Sequence, residues 1–156
     1  MNKAYVIVPL VVAVVFLIFP FVLYSGNMIM VITSDSMLPV LKPYDMIVVE
    51  KVDINEVSVG DIIAFDSHIE GIGIVAHRAV EVFDDHGEVG ISTKGDNVEE
   101  PDGWIVHGED FIGKVVNIVP TMGVFLIEPV RYGIVAIIVI TAISLLHEIM
   151  AKPKTV

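Results

Sequence analysis

The sequence predicts a mainly β protein, an antiparallel β domain held between an N-terminal and a C-terminal transmembrane helix. Three observations lead there. Hydrophobic residues fill 54% of the 156 positions and mean hydropathy is +0.78, too apolar for a soluble domain of this length. The apolar excess lies at the two ends. The middle consists of short β-branched runs broken by turn residues, with no convincing helical period.

The first element is Ala4 to Tyr24, 21 uncharged residues, which at ~1.5 Å per residue match a ~30 Å hydrocarbon core. A cleaved secretory signal has a shorter apolar region, about 7–15 residues, and ends in a small-x-small site. Val22-Leu23-Tyr24 is a poor one, so residues 1–25 read as an uncleaved anchor, with Pro9 and Pro20 kinking it or marking its ends. At the other end, Gly133 to Leu146 is a 14-residue uncharged run. It is short for a span, but Arg131 can snorkel and His147 to Met150 can reach the headgroups, giving a second helix and short tail over residues 131–156. Lys3, Lys152 and Lys154 lie outside these runs, so the positive-inside rule puts both termini in the cytoplasm and residues 26–130 outside.

Within the middle domain the expected strands are Met28–Thr33, Met46–Val52, Asp61–Phe65, Ile74–Phe83, Glu88–Lys94 and Phe111–Val119. Asp84-Asp85-His86-Gly87 is a hairpin signal between the fourth and fifth. Gly95–Asp110 reads as irregular polar loop. Residues 25–130 hold five Lys and Arg against 19 Asp and Glu, a formal charge of −14. That charge disfavours nucleic acid and anionic headgroups as partners. The chain has no cysteine, which excludes disulfides, a thiol nucleophile and Cys-ligated zinc. His68, His86, His107 and His147 lack metal-ligand spacing, so no metal is expected, and Trp104 reads as a packing residue.

Three polar clusters stand beside strand ends. Ser34-Asp35-Ser36-Met37-Leu38-Pro39 follows an apolar strand, where a Ser usually caps a turn. Ala76-His77-Arg78-Ala79 puts two ionisable residues inside an apolar strand, where a His is most often a satisfied core residue. Lys94-Gly95-Asp96-Asn97, with Asp102 beyond it, is a common turn type. Each is weak alone. Together they supply a hydroxyl, an imidazole and two carboxylates, the inventory of an activated serine nucleophile.

The order and spacing of these clusters resemble the signal peptidase I family, in its archaeal and ER-type subclass. Ser34–Pro39 is similar to the family's S-x-S-M-x-P box, and Leu41-Lys42-Pro43-Tyr44-Asp45 to its L-K-P-G-D turn. Gly60 to Phe65 resembles G-D-I-x-x-F. Ala76-His77-Arg78 falls where this subclass has His-Arg, and Thr93–Asn97 with Asp102 resembles the final box. Val40, Tyr44 and Val98 depart from the family pattern.

The resemblance implies a membrane-bound serine endopeptidase that cleaves N-terminal signal peptides from exported preproteins through an acyl-enzyme, without cofactor. Its partners would be preprotein signal peptides, the lipid bilayer and the export machinery. Ser36 would be nucleophile, His77 general base and Asp102 the third member. Ser34 with the Ser36 N–H would form the oxyanion hole, Asp96 would support the site, and Arg78 would pair with a carboxylate. On the residues alone either Asp96 or Asp102 can orient His77. Asp96 sits in a tight turn and Asp102 is freer to reach another strand. Two rival readings are an inactive membrane-anchored β domain that binds exported chains, and a Ser–Lys protease using Lys42 or Lys94.

Overall fold

The computed structural model of the chain describes residues 4–25 and 29–151. These form two compact units, one of residues 1–25 with 125–156 and one of residues 26–124.

The first unit is helical. Helix α1 is Ala4–Ser25 and helix α2 is Glu128–Ala151, and the two pack together. Pro9 and Pro20 lie inside α1 and do not mark its ends. Helix α2 begins before the uncharged run because Pro129 fits a first helical turn, where its missing N–H has no intrahelical partner to lose. Among the described residues, Glu128–His147 is long and apolar enough to cross a membrane. The buried positions described on these helices are the small Ala13 and Ala142, whereas Val8, Val15, Ile137, Ile140 and Ile143 are exposed.

The second unit is a seven-stranded sheet in which every neighbouring pair is antiparallel. Its strands are β1 (Ile29–Val31), β2 (Met46–Glu50), β3 (Ile62–Asp66), β4 (Ile74–Asp85), β5 (Glu88–Lys94), β6 (Ile105–Val106) and β7 (Phe111–Val119). The order across the sheet is β1-β2-β7-β3-β4-β5-β6. The last strand therefore lies between the two earlier groups, β1–β2 on one side and β3–β6 on the other.

Six strands lie where apolar runs predict them, and β6 is an addition inside the stretch read as loop. Strand β4 outruns its expected end because His86 and Gly87 both take positive φ, 56° and 95°. A two-residue turn of that kind matches strand twist and lets pairing continue to Asp85↔Glu88.

Two cores form. Ile32, Met37, Leu41, Ile47, Val49 and Ala64 make one, and Val57, Ile63, Phe65, Ala79, Ile91 and Val106 the other. Successive residues of a strand point to opposite faces, so Ile63 and Ala64 of β3 serve different cores. Trp104 packs on Phe65 at 6.3 Å between ring centroids.

The buried Asp45 carboxylate accepts Lys42 N–H and Thr121 N–H, both at 2.9 Å, tying the β1–β2 connection to the end of β7. Beside it Tyr44 adopts φ +72°, the left-handed region that favours glycine.

Candidate active site

Ser36 lies in the connection between β1 and β2. Met37 and Leu41, both fully buried, anchor that connection in the first core. Ser36 itself stays half-buried and Ser34 exposed, with their hydroxyl oxygens 3.2 Å apart.

His77 occupies the β4 position opposite Ile63 and is 8% exposed. Its Nε2 is 2.9 Å from Ser36 Oγ, and its Nδ1 is 2.7 Å from Asp102 Oδ2. An ionised carboxylate can only accept, so Nδ1 must hold the ring proton. Nε2 is then free to accept from the Ser36 hydroxyl. Hydroxyl, imidazole and carboxylate thus form one line from three separate segments. Among the described residues, the partners of Ser36 Oγ are His77 and Ser34; neither Lys42 nor Lys94 has that place.

The two aspartates separate cleanly. Asp102, whose side chain is 9% exposed, meets the imidazole. Asp96 takes a bidentate fork from Arg78, with Nε donating to Oδ1 at 2.7 Å and Nη2 to Oδ2 at 2.6 Å. Arg78 Nη1 also donates to the Gly60 carbonyl at 2.6 Å. The Arg78 guanidinium holds the Asp96 carboxyl below its ordinary value, and Asp96 in turn raises Arg78. Asp96 sits in a tight turn, but its carboxylate pairs with the nearby guanidinium, a strong, charge-assisted partner.

The turn after β5 does a second job that the sequence does not reveal. Asn97 N–H donates to the Ser36 carbonyl at 2.8 Å, and Asn97 Nδ2 to the Asp35 carbonyl at 3.2 Å. Gly95 makes this approach possible, since a Cβ there would stand 2.6 Å from Ser36 O. Thr93, the first residue of the stretch that resembles the final box but given no role there, donates from Oγ1 to Asp102 Oδ2 at 2.6 Å.

Beyond Arg78 the strand β4 pairs with β5, but Ile74, Val75 and Ala76 pair only with β3. Among the described residues, their other edge has no strand partner, and it adjoins His77. The remaining histidines lie elsewhere. His68 Nε2 meets Asp110 at 2.7 Å and His107 Nε2 meets Asp85 at 3.0 Å, and no group of three or more metal-ligating side chains is found among the described residues.

The arrangement is that of an activated serine, a class of site that serves acyl transfer. No protein-family model matches the chain, and no curated protein matches it.

Proposed function

We propose that this chain is a serine hydrolase acting on acyl bonds, and specifically a membrane-anchored endopeptidase that removes signal peptides from exported preproteins. One observation leads to the first step: His77 bridges Ser36 and Asp102 at 2.9 and 2.7 Å. The second step draws on the motif order, which resembles signal peptidase I, and on the apolar helices. Exposed residues such as Ile137 and Ile140 on α2 suit lipid far better than water. In this reading both helices span the bilayer, the acidic domain lies outside, and anchoring presents the enzyme to a substrate whose own apolar segment is in the membrane.

In the reaction, Ser36 Oγ attacks the scissile carbonyl as its proton passes to His77 Nε2. Asp102 stabilises the resulting imidazolium. The Ser36 N–H and Ser34 hydroxyl hold the oxyanion, and the imidazolium gives its proton to the leaving amine. Water, activated by the same imidazole, then hydrolyses the Ser36 ester. The free edge at Ile74–Ala76 pairs with the extended substrate, and small pockets admit short side chains at the −1 and −3 positions.

The test uses the full chain in lipid vesicles with a preprotein bearing small residues at those positions. Wild type should cut one bond, and Ser36→Ala and His77→Ala should leave the preprotein intact. Cleavage by Ser36→Ala above background, or none by wild type, refutes the reading.

A further inference from the structure

Thr93 lies opposite Ala79 in the β4–β5 ladder and is fully buried. A buried strand threonine packs with its methyl group, while its hydroxyl needs an acceptor or it forfeits a hydrogen bond made to water in the unfolded chain. The acceptor is Asp102 Oδ2 at 2.6 Å, the same oxygen that receives His77 Nδ1–H at 2.7 Å. In the opposite sense, the Thr93 carbonyl accepts the Asp102 N–H at 2.8 Å. Thr93 therefore grips Asp102 at both its backbone and its carboxylate, and the loop that leaves β5 returns onto the residue it started from.

A carboxylate on a loop has a broad, roughly two-fold torsion about its last bond, and one hydrogen bond to an imidazole leaves that torsion free to swing. Two donors converging on a single oxygen remove the freedom. They also require that this oxygen accept, which keeps the proton of His77 on Nδ1 and leaves Nε2 open toward Ser36. Thr93 is fully buried and its hydroxyl bonds Asp102, whereas Ser36 Oγ bonds His77 and Ser34, so the influence of Thr93 on the reaction passes through Asp102.

We propose that Thr93 is a positioning residue: its hydroxyl fixes the Asp102 carboxylate and, through it, the tautomer and orientation of His77. This rests on the serine-hydrolase reading above for its link to turnover, but not for its effect on the imidazole.

Two variants of the full chain separate the hydroxyl from the methyl. Thr93→Val keeps the shape and loses the donor; Thr93→Ser keeps the donor and loses the methyl. Thr93→Val should lower kcat roughly 10- to 100-fold, the rate equivalent of one hydrogen bond to a charged group, with little change in KM. Thr93→Ser should restore most of the loss. The proton NMR resonance of His77 Nδ1–H should stand downfield in wild type and in Thr93→Ser, and shift or broaden in Thr93→Val. A Thr93→Val protein with wild-type kcat and an unchanged resonance overturns the assignment. So does a Thr93→Ser protein as impaired as Thr93→Val, which would make the methyl contact the cause. If wild type cleaves no preprotein while the resonance still follows the hydroxyl, the peptidase reading falls and the positioning role stands.

Discussion

Replacing Gly95 with alanine should damage the site from a position that carries no chemistry. The added Cβ would sit 2.6 Å from the Ser36 carbonyl oxygen, 3.2 Å from Ser36 Cβ and 3.0 Å from Val98 Cγ2. Ordinary contact begins near 3.4 Å, so the Ser36 backbone must retreat by about 0.8 Å. Val98 is a side-chain tip and can yield, but Ser36 O is backbone already held by Asn97 N–H. The Ser36 hydroxyl lies 2.9 Å from His77 Nε2, and such bonds weaken beyond about 3.2 Å. A retreat of that size uses up the margin, and misplacing a reacting group by about 1 Å costs roughly 10²-fold in rate. Two opposing terms act on stability. Alanine restricts the unfolded chain, a gain of about 0.4–1 kcal/mol, whereas forcing extra volume into a packed site costs about 1–3 kcal/mol. The second wins, so Gly95→Ala should melt lower than wild type. Gly108→Ala, where nothing lies within 4 Å of the new Cβ, is the control and should melt normally. The assay pairs kcat on a preprotein with a circular-dichroism melt. A Gly95→Ala protein with wild-type kcat and undiminished melting temperature would show that the loop has slack, and the steric reasoning would fail.

Asp102→Asn should fold and lose about 10⁴-fold in kcat, because an amide neither fixes the Nδ1–H tautomer nor stabilises an imidazolium; single-turnover cleavage checks it. Asp96→Asn should melt lower by losing its fork with Arg78. Because that fork depresses the folded pKa of Asp96, its stabilisation is complete above the unfolded carboxyl value of about 3.9 and fades as pH falls through the lower folded value. Melts taken from pH 6 downward should therefore show a shallower acid loss for Asp96→Asn than for wild type. Tyr44→Gly should raise stability by up to about 1 kcal/mol by relieving a left-handed backbone at φ +72°, and a lower melting temperature would contradict this. With both helices spanning, protease added outside should digest residues 25–130 and spare the two termini, which terminal epitope tags report.

Much of the sheet was legible because its strands are apolar runs between strong turn signals. Glu88–Lys94 and Phe111–Val119 coincide with β5 and β7 to the residue. Strand β6 escaped because two apolar residues in a polar loop have no period to detect; Ile105 and Val106 become a strand only through their pairing with Ile91 and Ser92. The site shows the same division. Ser36, His77 and two candidate aspartates could be picked out by residue type, and the resemblance favoured Asp102, but their meeting depends on where β4 parts from β5, which is a matter of register. Arg78 was expected to find a carboxylate, and its geometry decides which: the fork faces Asp96, leaving Asp102 for the imidazole. The roles of Thr93 and Asn97 left no signal although both fall in the stretch that resembles the final box, since a threonine in a strand and an asparagine in a turn are what those elements ordinarily contain.

The place of β7 sets a timetable. It is the last strand along the described residues, yet it stands between β2 and β3, pairing Met46 with Val119 and Ile63 with Lys114. Without β7, no ladder among the described residues joins β1–β2 to β3–β6. Ser36 belongs to the first group and His77 to the second. Contacts so distant in the chain form late, because closing long loops costs entropy before any pairing offsets it. Ser36 and His77 are thus joined through the sheet only once β7 has paired, and on the serine-endopeptidase reading proposed above an unfinished domain would carry no assembled site.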